Sequence, residues 1–142
     1  GVTATIKQTP GAIGYIEYGY AIATKQPMAI LQNKAGKFVA PGDESGKAAL
    51  ASAEFPTNTL PGSDTPDLRV WVSDPAGAQA YPIATFTWML FYKDQDDGKA
   101  KVLRDLVEYG LTKGQAIAPK MGYIPLPENV VERVRKAAAL IQ

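Results

Sequence analysis

The run YPIATFTWMLFY, from Tyr81 to Tyr92, restricts the folding options of this chain more than any other stretch. β-Branched and aromatic residues follow one another there without a charged interruption, the composition of a strand buried on both faces. Such a strand is stable only with neighbours along its edges and over its faces. The rest of the chain therefore has to be read for what could cover it.

Before that strand, breakers divide the chain into short pieces and point to an α/β fold with two unequal halves. Val2 to Lys7 reads as the end of a helix stopped by Thr9, Pro10 and Gly11, because proline removes a donor and biases its predecessor away from the helical region. Ala12 to Glu17 reads as a strand and Tyr18 to Lys25 as a short helix. Gly11 and Gly14, three apart among aromatic and β-branched residues, mark a backbone held close to a neighbour. Ala29 to Asn33 and Lys37 to Ala40 read as two extended pieces around the turn Lys34-Ala35-Gly36. Ser45 to Phe55 is alanine-rich and predicts a helix capped by Asp43 or Ser45. The stretch FPTNTLPGSDTP is dense in Pro, Thr, Asn and Ser and predicts a surface loop. Leu68 to Val72 alternates as a strand that Asp74-Pro75-Ala76-Gly77 breaks.

After the long strand the period becomes helical. Leu103, Leu106, Val107, Gly110, Gly114 and Ile117 recur at three- and four-residue steps, predicting one helix from about Gly98 to Pro119. Two glycines on that face cost about 1 kcal/mol each against alanine, so close packing is expected to compensate. GYIPLPEN is a rigid connector. Pro127 suits the first turn of a last helix with an apolar stripe of Val130, Val131, Val134, Ala137, Ala138 and Ile141, and with Glu132 one turn before Lys136.

Composition narrows the chemistry. The 142 residues contain no Cys and no His, which removes disulfides, thiolate nucleophiles, sulfur-based zinc sites and the commonest general base. Most hydrolytic constellations are thereby excluded, and no catalytic residue, metal ligand or cofactor is expected. The formal net charge of +1 comes from scattered Lys and Arg, so there is no basic stripe for a nucleic acid. No apolar run is long enough to cross a bilayer, no signal peptide is visible and position 1 is Gly, which reads as processing, truncation or chain splitting.

Several strings invite stronger readings and fail on spacing. GDESGKA, Gly42 to Ala48, is one residue short of a phosphate-binding P-loop and carries Ala48 where a magnesium-binding hydroxyl belongs. DQDDG, Asp94 to Gly98, has its glycine one position early for a calcium loop and lacks the closing Glu, so a solvated turn is expected. Asp43, Glu44 and Glu54 read as a solvated surface, and Trp71, Trp88 and the tyrosines as core and interface residues.

The runs VTATIKQTPGAIGYIEYGYAIATK, LQNKAGKFVAP, AYPIATFTWMLFYKDQ and MGYIPLPENVVERVRKA together cover nearly the whole chain. In this order they resemble the phosphate-binding subunit of the high-affinity phosphate ABC importer, cyanobacterial-type members above all. The resemblance implies a type II periplasmic-binding-protein fold, two α/β lobes joined by a hinge, of which this chain is only the C-terminal portion. It implies residues 1–75 as the latter part of lobe two and 76–142 as the hinge and the returning part of lobe one. Asp74, Pro75, Ala76 and Gly77 then fall at the hinge, where loop residues absorb dihedral change, and the resemblance implies that Gly11 and Gly14 let a turn and a strand pack tightly inside lobe two, with Tyr15, Tyr18 and Tyr20 toward its cleft.

The family holds phosphate with helix N-termini, hydroxyls, an Arg and an Asp. The resemblance places these groups in segments preceding this chain; Ser45-Gly46-Lys47 is the nearest string to the family's Ser-Gly-Thr element and lies elsewhere in the order. No phosphate ligand is therefore expected here. The implied partners are inorganic phosphate, bound together with the N-terminal half of the protein, that half itself in cis or as a separate chain, and the permease subunits. The implied location is periplasmic or extracytoplasmic, with any membrane anchor in an N-terminal region. The alternatives are a ligand-free interaction or regulatory protein built on the same half-fold, and a binding protein for another oxyanion.

Overall fold

Short helices form where the breakers leave room for them, and the sheet content is small. The computed structural model describes the backbone of residues 1–142 and all side chains except that of Asp97. Helix α1, Val2–Gln8, ends at Thr9, whose extended backbone (φ −118°, ψ 102°) meets the steric demand of Pro10. Helix α2 is Tyr18–Ala23. Between them the expected strand at Ala12 to Glu17 is not formed. The segment pairs with no other strand among the described residues, and Ile13 and Tyr15 are more than nine-tenths exposed. A strand exists only as one side of a hydrogen-bonded ladder, and no second backbone lies alongside this one. Of the two glycines expected to allow close packing, Gly14 lies against Ile6 and Val2 of α1, whereas Gly11 has nothing within 4 Å of where a Cβ would stand and serves the turn through its φ of +78°.

The hairpin is present. β1, Leu31–Gln32, pairs antiparallel with β2, Phe38–Val39, with Leu31 opposite Val39 and Gln32 opposite Phe38. Helix α3, Asp43–Ala51, follows after Gly42. Neither Asp43 nor Ser45 caps it; the buried Ser45 hydroxyl lies inside the first turn and donates back to the carbonyls of Ala40 (2.8 Å) and Gly42 (3.2 Å). A buried hydroxyl takes the nearest free acceptor, and here that lies in the preceding turn.

The segment Tyr81 to Tyr92 departs furthest from its sequence. It runs extended, yet its one bridge joins Ile83 to Ser73, and Leu68 to Val72 forms no ladder either. One face is used: Phe86 is buried, and the half-buried Trp88 donates its indole N–H to the Leu68 carbonyl at 2.9 Å. The other face is bare, with Ile83, Met89 and Leu90 exposed. The expectation of burial on both faces is thus half met, because nothing among the described residues covers the outer side. Trp71, expected in the core, is 80% exposed and touches Trp88 edge-on at 5.9 Å.

The single helix expected up to Pro119 is interrupted. Helix α4 runs Asp97–Leu111, Thr112 leaves helical geometry (φ −118°, ψ −92°), and α5, Lys113–Ile117, continues into a 3₁₀ turn, Ala118–Met121. Gly110 has no neighbour where a Cβ would stand, so close packing does not offset its cost and the helix breaks just beyond it. Gln115 repairs the break, donating to the Gly110 carbonyl at 2.7 Å and accepting from the Leu126 amide at 2.6 Å. The buried stripe of α4 is Ala100, Val107 and Leu111; Leu106 and Ile117 are exposed.

Helix α6, Glu128–Ala138, follows Pro127 as expected. Its adjacent Val130 and Val131 enter two different clusters. Val130 joins Ala49 and Leu50 of α3, Val70, Val72, Ala80 and Phe86, while Val131 joins Val107 and Leu111 of α4. Consecutive helical residues point about 100° apart, which allows one helix to seal two cores. The Glu132 to Lys136 pairing is replaced by Arg135 reaching Glu108 on α4 through two hydrogen bonds of 3.0 and 3.2 Å. Among the described residues no helix is long and apolar enough to cross a membrane.

Candidate functional site

The segment expected to bend is held very unevenly along its length. Asp74 has a φ of +46°, a left-handed conformation that aspartate tolerates better than most residues. Pro75 is buried, Ala76 is exposed, and the Ala80 amide donates to the Gly77 carbonyl at 3.0 Å, closing a turn. Asp74, Pro75 and Ala76 have no comparable tie among the backbone bonds. The Tyr81 amide reaches the Ser45 carbonyl at 3.1 Å, and its hydroxyl reaches the Ala29 carbonyl at 3.1 Å.

Asn33 is the residue that sequence reasoning missed. Its side chain is buried at the end of β1. The amide Nδ2 donates to the carbonyls of Gly77 (3.2 Å), Ala78 (3.0 Å) and Ala80 (3.1 Å). Its Oδ1 accepts from the amides of Ala35 (3.1 Å) and Lys37 (3.0 Å). The Asn-x-x-Gly spacing announced only the turn; the distant carbonyls are 44 to 47 residues away and left no local signal.

An open cleft of about 830 Å³ lies between β2 and the start of α3, lined by Tyr18, Phe38, Asp43, Glu44, Lys47 and Gln79. A helix start ordinarily favours an anion through its free N–H groups. Here two exposed carboxylates, Asp43 and Glu44, occupy the first turn, and Lys47 is paired with Glu44 at 3.7 Å. That arrangement complements the helix dipole and repels an incoming anion. Of the three tyrosines expected toward a cleft, only Tyr18 lines this one; Tyr15 and Tyr20 are exposed elsewhere.

The arginines are engaged with other groups. Arg69 grips Asp67 through two bonds, Nε to Oδ1 at 2.9 Å and Nη2 to Oδ2 at 2.8 Å. The guanidinium and the Arg69 backbone N–H hold the Asp67 carboxyl down at about 2. Arg135 pairs with Glu108, Arg104 donates to the Ile141 carbonyl, and Arg133 lies 5.0 Å over the Phe55 ring. Among the described residues no group of three acidic, His or Cys side chains is placed to hold a metal ion. The Asp94 to Gly98 turn includes Asp97, whose side chain lies outside the described residues.

No family model matches the chain. Proteins named phosphate-binding protein PstS do match it. The one from Methanocaldococcus jannaschii is 37% identical over 150 aligned positions, covering all of this chain and 38% of that protein. The one from Xylella fastidiosa strain 9a5c is 32% identical over 94% of this chain and 35% of its own length. The one from Pasteurella multocida is 31% identical over 95% of this chain and 38% of its own length. The chain thus spans between a third and two fifths of the length of these curated relatives. Along its whole length this chain is homologous to a portion of the phosphate-binding protein PstS sequences.

Proposed function

We propose that this chain is the C-terminal part of the substrate-binding component of a phosphate ABC importer, a protein that captures inorganic phosphate outside the cytoplasm and passes it to the membrane permease. The carrying observation is the similarity over the full chain to proteins named for phosphate binding, 37% for the Methanocaldococcus jannaschii protein. The role is binding rather than catalysis.

In this reading residues 1–75 are the latter part of lobe two, residues 76–142 the hinge and returning part of lobe one, and Asp74, Pro75, Ala76 and Gly77 the place where the chain bends. The buried cluster that joins Leu50 and Val72 to Phe86 and Val130 crosses that division, so bending has to be small enough to keep those side chains in contact. The chain supplies scaffold and hinge, and the main phosphate ligands belong to the rest of the protein. Two observations support this. Every arginine is engaged with other groups, and the cleft at α3 carries two carboxylates at its helix start. A buried phosphate dianion loses so much hydration that several converging donors and at least one free cation are needed to hold it.

Isothermal titration decides the reading. The 142 residues alone are expected to show no saturable phosphate binding below millimolar concentration, and tight binding is expected once the N-terminal part is supplied. Arg69→Ala should leave anion selectivity unchanged in the reconstituted protein. Micromolar binding by the chain alone would mean that the site lies within it.

A further inference from the structure

A strand-like segment with nothing along its edges or over one face marks the place where more of the protein attaches. We infer that the N-terminal part of the same protein seats on Tyr81 to Tyr92, laying one strand along each of its two edges and an uncharged cover over its outer face. That an N-terminal part exists rests on the transport reading; the open edges and the bare face do not.

Both edges are open. From Thr85 to Tyr92 no backbone N–H or C=O is bonded to another backbone group among the described residues, and the one bridge, at Ile83, lies before that stretch. In an extended chain successive residues direct their N–H and C=O groups to opposite sides, so Thr85, Thr87 and Met89 offer a ladder to one side and Phe86 and Trp88 to the other. Leu68 to Val72 fills neither side: the Trp88 indole, rather than its backbone, reaches the Leu68 carbonyl. The outer face is equally bare. Ala84, Phe86 and Trp88 turn into the core, while Ile83, Met89 and Leu90 are between 62% and 92% exposed. No residue from Tyr81 to Tyr92 is charged, so the surface that completes this face is itself uncharged. A charge buried against it would lose its hydration without gaining a partner.

Area, length and symmetry select the occupant. The chain exposes about 2,600 Å² more than a folded monomer of its mass should. That surplus is roughly three times the area that one partner contributes to an ordinary stable interface, the scale of a permanent junction. This chain also matches only 38% of the length of its Methanocaldococcus jannaschii relative, so a protein of that kind has more backbone outside this portion than within it. A second copy fits the geometry less well, because a two-fold contact pairs one edge with itself and leaves the other open.

Amide hydrogen exchange on the complete protein reads the two edges separately. Thr85, Thr87 and Met89 report one edge, Phe86 and Trp88 the other, and both sets should exchange at least about tenfold more slowly than the exposed Thr57 and Asn58. Fast exchange in either set means an open edge and overturns the proposal, and this arm needs no variant to fold. Protection that falls on dilution, as a dimer dissociates, assigns the edges to a second copy and overturns it as well. For the face, Met89→Asp should lower the urea midpoint of the complete protein and Met89→Leu should leave it unchanged; a midpoint that Met89→Asp does not move overturns the cover. Calorimetric titration of the same protein with inorganic phosphate keeps the two readings apart. Phosphate binding with one set of amides exchanging fast retains the transport reading and refutes the seat. Both sets slow at every dilution, without phosphate binding, retains the seat and refutes phosphate as the ligand.

Discussion

Gly46 has no room for a side chain. A Cβ there would stand 2.1 Å from Ile124 Cδ1, whereas at Gly122 it would stand 2.4 Å from the Gly19 backbone with φ already at +80°. The two sites should respond differently, because the tip of Ile124 can rotate away and a backbone cannot. Gly46→Ala gains about 1 kcal/mol of helix propensity and loses about 1–3 kcal/mol to overpacking, so a net loss below about 2 kcal/mol is expected. Gly122→Ala should cost more than Gly46→Ala, since it also strains a left-handed position; urea unfolding of the two variants in the complete protein checks the order. At the same scale, Asp67 titrates well below an ordinary carboxyl, near 2 against 3.8, because Arg69 holds it ionised. A carboxyl with a depressed folded-state value stabilises above its unfolded value and loses that contribution as pH falls through the folded one. Stability should therefore decline between about pH 4 and pH 2, and Asp67→Asn should flatten that part of the curve. An unchanged curve would mean that the Arg69 pair is not maintained in solution.

Elements depend on partners more than on their own residues. Tyr81 to Tyr92 has strand composition yet makes one bridge, while β1 and β2 pair over two residues each because a turn brings them together. The loop after α3 is firmer than its Pro-Thr-Asn content suggests: the Leu60 amide donates to Thr65 at 2.8 Å and the Asp67 amide to Asn58 at 3.1 Å. Even so, Thr57, Asn58 and Thr59 are exposed and belong to no regular element. Limited proteolysis of the native protein should cut first between Thr57 and Thr65 and spare Phe86 to Phe91, as followed by mass analysis of the fragments. Primary cleavage within Phe86 to Phe91 would show that this segment is not anchored to the core.

For the molecule as a whole, exposed area is the telling quantity. The chain exposes 9,727 Å², whereas a folded 15.2 kDa monomer is expected to expose about 7,100 Å². Much of the surplus is apolar, with Ile13, Tyr15, Trp71 and Leu90 each at least 80% exposed. Expressed by itself, the chain should associate or melt without a sharp transition, and under the proposed assignment adding the N-terminal part should suppress association. Sedimentation of the chain with and without that part measures this; a monodisperse monomer with a cooperative thermal transition would contradict it.

The helices α1, α2, α3 and α6 and the hairpin turn were legible in the sequence, because proline, glycine and a 3.6-residue period act over a few neighbouring residues. The ordered motifs likewise carried the likeness to phosphate-binding proteins. The strands expected at Ala12 to Glu17 and Tyr81 to Tyr92 were not decided by their residues, since a ladder needs a second backbone that composition does not supply. The break at Thr112 also escaped the period: whether Gly110 is paid for depends on a neighbour, and none is there. Asp74 to Gly77 was marked by its own Pro and Gly, but the fastening of Gly77 to Ala80 was not. It comes from Asn33, whose partners lie 44 to 47 residues along the chain, and contacts at such separation exist only once the tertiary fold has brought the carbonyls to one amide.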